Sequence, residues 1–463
     1  MHKCLVWFRN DLRIQDNLTI QKLLERGSTL MPIFIINEEI GSASKFWLSE
    51  SLESLNRQLG DCLSSFSGSA AKVIEELIKE NSITEITWNR GFDRKSLSDE
   101  VEVKKIAKKY NVKVFVYNSS LLLAPEQTLK KDGAPFRVFT PFYKNNYLDL
   151  SFSCSNVDIE ELNILSVKSN SKVENVRKNL MPKSNWHKKF NKLWQPGEDG
   201  AIMKLKKFIE QGLIGYGQGR NRPDLKHVSM LSPHIHFGEI SPSRIAYALQ
   251  KIDTIDKEKF YTELVWREFS HNLLFYFPHI TDENLQEKFN KFEWRSNQAE
   301  LSLWQEGATG IPIVDAGMRQ LWAEGYMHNR VRMIVGSFLV KNLLHHWKDG
   351  RDWFSETLVD ADIANNNASW QWVAGTGVDA SPYFRIFNPI TQSQKFDPQG
   401  EYIKKYIPEL SRLPETYIHE PWACPTHILK QESIQIGTDY PRPMVDLRET
   451  RERALETFYM IKK

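Results

Sequence analysis

At 463 residues the chain has material for two or three domains with large cores. It is 41% hydrophobic and 26% charged, an ordinary balance for a soluble globular protein, and no run reaches the ~20 apolar residues of a membrane span. A formal net charge of +3 excludes a global field that would draw the chain onto nucleic acid, so any such binding must come from a local basic face.

The cysteines Cys4, Cys62, Cys154 and Cys424 are far apart and form no C-x-x-C pair. That argues against a structural zinc site or a disulfide framework and fits a reducing cytoplasm. The apolar run at the start is too short for a signal peptide. The 14 tryptophans exceed what packing asks for, so stacking or redox use is expected for part of them.

From residue 1 to 130, short apolar runs alternate with amphipathic segments. Cys4–Phe8, Leu30–Ile36, Glu85–Trp88 and Val112–Tyr117 read as buried parallel strands. Phe46–Leu59, Ala71–Lys79 and Ser98–Tyr110 read as helices. The alternation predicts an α/β domain with a doubly wound parallel sheet. No G-x-G-x-x-G follows the first strand; Phe8-Arg9-Asn10-Asp11-Leu12-Arg13 stands there, so a dinucleotide site of the usual kind is not expected.

Residues 131–197 lose the pattern and predict a long linker across the surface. It ends in a basic tract of Arg177, Lys178, Lys183, His187, Lys188, Lys189 and Lys192, a solvated face by default. Residues 198–463 are helical in pattern. Pro312–Trp322 opens on a proline suited to a first turn and puts Val314, Met318 and Leu321 on one face; Arg332–Leu344 is similar. The expectation is an all-helical domain whose cavity is lined from several segments.

The chemistry of that half concentrates in Asp360–Trp372. Asp360 and Asp362 accept hydrogen bonds, Asn365, Asn366 and Asn367 both donate and accept, and Trp370 and Trp372 offer flat stacking faces. A flat, polar-edged, electron-active ligand would use all three types. Glu263 and Trp266 lie one helical turn apart with Arg267 beside them, and Asn329 and Met333 share a face at i, i+4. Singly, each of these is more often packing than function.

Together with V-W-F-R-N-D-L-R at 6–13, W-R-E-F at 266–269, G-I-P-I-V-D-A-G-M-R at 310–319, M-H-N-R-V-R-M at 327–333 and the block from Asp360 to Pro389, they resemble the photolyase/cryptochrome family over nearly the whole chain. Within it the motifs are most similar to bacterial class I cyclobutane pyrimidine dimer photolyases. The resemblance implies FAD in the helical domain and an antenna chromophore, methenyltetrahydrofolate or a deazaflavin, on the α/β domain. Gly41–Trp47 and Asn89–Asp93 are candidate rims for the antenna. It also implies light-driven repair of pyrimidine dimers in DNA by one-electron transfer. The protein would be a monomer of the bacterial cytoplasm, associated with the nucleoid when on DNA.

The same resemblance assigns residues. Asn366 falls where the family faces the reactive ring nitrogen of the flavin; plant cryptochromes carry Asp there. Arg332 and Asp360 are similar to the ion pair flanking the ring, and Ala361 and Asp362 to its polar edge. Tyr216 and Val228, Ser229, Met230, Leu231 and Ser232 resemble the phosphate clamp, although Val228 replaces the family's Thr and loses a hydroxyl. Trp266 and Trp372 look like the indoles that sandwich a flipped dimer, with Glu263, Asn329 and Met333 around it. Trp370, Trp347 and Trp294 match an electron relay. Arg220, Arg267, Arg330, Arg385 and Gln392 would contact DNA, and His345, His346, Lys348 and Arg351 would extend that face. A (6-4) photolyase would be expected to show His pairs at 328–330, and a DASH-type cryptochrome Tyr at 372. The iron–sulfur branch would show clustered Cys. A light sensor usually adds a C-terminal tail, whereas the chain ends soon after the folded region should.

Overall fold

The computed structural model describes residues 2–36, 40–169, 180, 185–383 and 385–462. Arg177, Lys178, Lys183 and Phe384 lie outside them. The chain divides into two compact units: Met1–Ile214 with Ser229–Pro278, and Gly215–Val228 with His279–Lys463.

The first unit is built on five parallel strands in the order β3-β2-β1-β4-β5. These are β1 (Lys3–Phe8), β2 (Thr29–Ile36), β3 (Ser64–Ser67), β4 (Glu85–Asn89) and β5 (Lys113–Tyr117). Register is fixed by pairs such as Val6 with Pro32 and Leu5 with Ile86. Helices α1 (Leu18–Glu25), α2 (Ser42–Gln58), α3 (Ala70–Asn81) and α4 (Arg94–Lys109) connect them. The first three apolar runs become strands covered on both sheet faces: Leu5, Trp7, Ile33, Ile74, Leu77, Ile86 and Trp88 form one core, whereas the edge strand β5, expected to be buried, is only half-buried with Lys113 exposed. Strand β3, with the sequence Ser-Ser-Phe-Ser, and helix α1 carry no such run and are additions to the predicted pattern.

Helices α5 (Phe139–Asn146), α6 (Glu198–Gln211), α7 (Pro242–Gln250) and α8 (Asp256–Tyr276) belong to the same unit. Polar bonds tie them to the sheet: the Glu198 carboxylate accepts from the backbone of Ile14 (3.0 Å) and Gln15 (3.2 Å), and Leu12 N–H donates to the Phe237 carbonyl (3.1 Å). Compactness therefore does not break at residue 198, where the helical pattern begins.

The second unit is helical. It contains α9 (Gln298–Glu306), α10 (Pro312–Glu324), α11 (Asn329–Ser337), α12 (Trp347–Thr357), α13 (Ile363–Ala374), α14 (Pro389–Phe396) and α15 (Leu447–Met460). Its core packs Trp304, Val314, Met318, Leu321, Val335, Leu339, Trp347 and Trp370. The predicted helix Arg332–Leu344 is interrupted: α11 ends at Ser337, and Phe338–Asn342 is a π-turn in which Leu343 N–H bonds the Phe338 carbonyl at 3.0 Å. Among the described residues no helix is long and apolar enough to cross a membrane.

Candidate active site

Helix α13 carries three successive Asn, poor helix formers, two of which, Asn366 and Asn367, have partners for their side-chain amides. Asp362 caps the helix, accepting from Asn365 N–H at 2.8 Å. Asn366 donates both amide hydrogens to α12, to the Arg351 carbonyl (3.0 Å) and Ser355 Oγ (2.9 Å). Its orientation is thereby fixed, and Oδ1 is left as the acceptor. Asn367 donates to the Ile363 carbonyl at 2.8 Å. The Arg332 guanidinium donates to both oxygens of Asp360 (3.0 and 2.8 Å) and to the Met327 carbonyl (2.7 Å). Asp360 is buried, so removing Arg332 would strand its charge at a cost of about 3–5 kcal/mol. Ala361 between the two acids is half-buried.

Trp370, buried against Phe354 and Trp304, sits with its six-membered ring against Gly350 of α12. Trp347, one turn before Gly350, is fully buried and donates through Nε1 to Asn284 Oδ1 at 2.8 Å. The His346 ring lies 5.4 Å from Trp347 and 5.2 Å from the half-buried Trp294. Trp370 thus packs at Gly350 on the helix that carries Trp347, and His346 lies beside both Trp347 and Trp294. Nothing in the sequence marks Gly350 or His346 as their neighbours.

Asn329 is exposed and Met333 half-buried on α11, and Trp372 is half-buried on α13. Arg330 lies over Phe396 (4.4 Å) and donates to Asn221 Oδ1 (2.5 Å). Burial, then the like charges of Arg220 and Arg385, pull its guanidinium below the ordinary value. Three predicted DNA contacts therefore press their charge on one another, an arrangement suited to an anion. His328 caps α11 through Nδ1, accepting from Arg330 N–H at 3.2 Å. Burial and the charges of Arg330, Arg332 and Arg220 push the imidazole down to about 3. Arg385 is exposed and Gln392 half-buried. Arg220 lies 5.5 Å from the ring of the buried Tyr216.

The expected basic extension is not an open face. His345 is 1% exposed, and Arg351 is bonded to the Thr281 carbonyl, Asn367 and Asp352.

In the first unit, Glu263 and Trp266 are half-buried on α8, and Trp266 stacks on Phe139 of α5. Arg267 does not reach outward as the DNA reading requires. It donates to the Ser120 carbonyl (3.0 Å) and to Glu268 Oε1 (3.1 Å), because Glu268 is buried and needs a cation. Burial still lifts the Glu268 carboxyl to about 7. Ser229 Oγ accepts from Leu231 N–H at 3.3 Å, Met230 adopts a left-handed φ of 56°, and Ser232 starts a short helix, Ser232–His236. A left-handed non-glycine residue is a mark of constrained functional loops. Val228, without a hydroxyl, is half-buried.

Strand order reverses between β1 and β4, where open parallel sheets bind ligands. There Asp11 accepts from Arg9 N–H (2.7 Å) and Asn89 Nδ2 (2.7 Å), while Arg9 Nη1, Asn89 Oδ1 and Arg90 Nε are buried without hydrogen-bond partners. The rim expected at Gly41–Trp47 loses its indole: Trp47 is fully buried and donates to Glu239 at 2.9 Å.

A family model described as DNA photolyase matches residues 4–160, and one described as the FAD binding domain of DNA photolyase matches residues 260–460. The chain is 41% identical to a deoxyribodipyrimidine photo-lyase of Agrobacterium fabrum, over 99% of this chain and 98% of that protein. It is 34% identical to cryptochrome-2 of Arabidopsis thaliana, over 97% of this chain and 78% of the relative. The crystal structure of a bacterial class III photolyase from Agrobacterium tumefaciens matches with a TM-score of 0.95 at 41% identity, covering 100% of this chain and 98% of that one. A parallel-sheet unit followed by a helical FAD-binding domain defines a flavoprotein of the DNA photo-lyase class. The chain belongs to the photolyase/cryptochrome family, and its cofactor is FAD. The motifs resemble those of class I, whereas this solved relative is of class III.

Proposed function

We propose that this chain repairs cyclobutane pyrimidine dimers in DNA with light, acting on a dimer flipped out of the duplex. Bound FAD supplies the photochemistry and the transferable electron. The observation that carries the reading is Asn366. With both amide hydrogens held by α12, it offers an acceptor and no acidic proton, which suits guarding a reduced, negatively charged ring. Arg332 supplies a fixed cation for that charge, and Asp360 holds the arginine in place. Asp362 and Ala361 line the polar edge, and Tyr216 with Val228–Ser232 holds the phosphates. The loss of a hydroxyl at Val228 is offset by the remaining Ser229 and Ser232.

Trp266 and Trp372 each give a base a stacking face, returning ~1–3 kcal/mol per base against a flipping cost of a few kcal/mol. Glu263 and Asn329 pair with base edges, and Met333 packs against the rings. Arg220, Arg330, Arg385 and Gln392 position the DNA backbone. Trp294, Trp347 and Trp370 pass electrons inward to restore the reduced state. An antenna, folate or deazaflavin, takes the crevice at Arg9, Asn89 and Arg90 in the 1–130 region, with 131–197 as connector and the catalytic residues drawn from 198–463. The protein works as a monomer in the cytoplasm, on nucleoid DNA.

Blue-light turnover on oligonucleotides carrying either lesion tests this. Repair of the cyclobutane dimer alone is expected. Repair of the (6-4) lesion alone, or flavin photoreduction with turnover on neither, would replace the reading with a (6-4) photolyase or a cryptochrome-type sensor.

A further inference from the structure

Lys341 carries its ammonium into the interior of the helical unit, where the residue is 1% exposed. It belongs to the π-turn Phe338–Asn342, a helix irregularity that recurs at functional sites. Its Nζ donates to the Arg385 carbonyl at 3.2 Å and lies 5.3 Å from the centre of the Tyr383 ring. Neither contact is a carboxylate, and both belong to the loop between α13 and α14. Tyr383 is itself anchored, buried and stacked on Phe458 of α15 with centroids 4.4 Å apart. Two residues further on, Arg385 is exposed.

A buried, unpaired ammonium destabilises the fold, and an apolar side chain of similar length would fill the space at lower cost. Burial, then the charge of Arg385, pull the Lys341 amine down to about 7. The lysine thus sits where stability alone would not place it, gripping the backbone of an outward-facing arginine.

We infer that Lys341 is a positioning residue for DNA engagement: from inside the unit it holds the Arg385 carbonyl so that the Arg385 guanidinium is presented to a phosphate. This rests on the DNA reading of Arg385. A phosphate on Arg385 would also relieve the repulsion felt by Lys341, so the grip tightens as DNA binds.

The test is a double-mutant cycle on the full-length holoprotein: Lys341→Met, Arg385→Ala and the pair, titrated with dimer-containing and undamaged duplexes over a range of salt, with melting midpoints alongside. Lys341→Met is expected to weaken both duplexes roughly tenfold and to lower the salt slope by about one. Its melting midpoint should not fall. The pair should bind no more weakly than Arg385→Ala alone, and Lys341→Arg should keep near wild-type affinity. Independent, multiplying losses, wild-type affinity in Lys341→Met, or a loss that tracks a fall in melting midpoint would each overturn the inference. If Arg385→Ala itself leaves affinity and salt slope unchanged, the DNA role of Arg385 fails first and the inference falls with it. Should Lys341→Met not fold, Lys341→Gln, one bond shorter and uncharged, enters the same cycle with the same expected outcomes.

Discussion

Trp266 lies face to face on Phe139, with ring centroids 3.7 Å apart and planes 5° from parallel. One face of the indole is therefore covered within its own unit, and Phe269 meets the ring edge-on at 5.9 Å. Phe139 comes from the segment that reads as linker, so that segment packs directly on an indole proposed to hold the lesion. Phe139→Leu removes a stack worth ~0.5–1.5 kcal/mol beyond buried area. The variant should melt slightly lower and lose affinity for dimer-containing DNA while undamaged DNA binds as before. Paired titrations check this, and an unchanged ratio of the two affinities would separate Phe139 from lesion recognition.

Gly350→Ala sets two effects against each other. In an open helix the change would stabilise by roughly 0.5–1 kcal/mol. Here the new methyl would meet the Trp370 ring, which is walled in by Phe354 and Trp304. Overpacking of that kind costs about 1–3 kcal/mol, so net destabilisation is expected. Light-driven reduction of oxidised flavin should slow as the indole shifts, and Trp370→Phe should abolish it. Both variants should still repair once the flavin is reduced chemically. Denaturant melts and photoreduction rates read the two halves of this prediction.

Arg220→Ala removes one of the charges that press on Arg330 and His328. The free protein should melt no lower than wild type. Affinity should fall alike for damaged and undamaged duplexes, with the salt slope reduced by about one. A loss confined to damaged DNA would contradict a phosphate contact.

Asp315, at the start of α10, gathers donors from Thr309 N–H (2.8 Å), Thr309 Oγ1 (2.6 Å), Gly310 N–H (3.0 Å) and Tyr440 Oη (2.5 Å). Burial outweighs them and lifts its carboxyl to about 6. A raised carboxyl favours the protonated fold. Its contribution is complete below the ordinary range near pH 4 and is lost as pH rises through about 6. Asn cannot titrate, so between about pH 4 and 7 the stability difference should move in favour of Asp315→Asn by up to about 3 kcal/mol. Urea unfolding of both proteins across that range measures it. A pH-independent difference would show that Asp315 does not titrate there.

What could be read from the chain was whatever depends on side-chain type and near neighbours. Four strands announce themselves as apolar runs, three of them buried on both faces and β5 half-buried at the sheet edge, whereas β3 offers only Phe66 among serines. The acids, amides and indoles of Asp360–Trp372 declare their chemistry by composition. Their partners do not: Ser355 for Asn366, Asn284 for Trp347 and Phe139 for Trp266 are each chosen by tertiary packing. Arg267 misleads for the same reason, because the burial of Glu268 next to it cannot be seen without the fold. The break at Ser337 is equally hidden, since Phe338–Asn342 keeps an apolar helix-like pattern through the π-turn.

The orientation of Asn366 sets what an acid in its place would have to become. Asn366→Asp would aim a carboxyl oxygen at the Arg351 carbonyl, lone pair against lone pair, unless that oxygen kept its hydrogen. The α12 backbone would therefore hold the acid in its neutral form, with its hydrogen turned toward the Arg351 carbonyl. At this position the step from amide to acid is an exchange of NH₂ for OH, and the neighbouring helix already offers the acceptor that the hydroxyl needs.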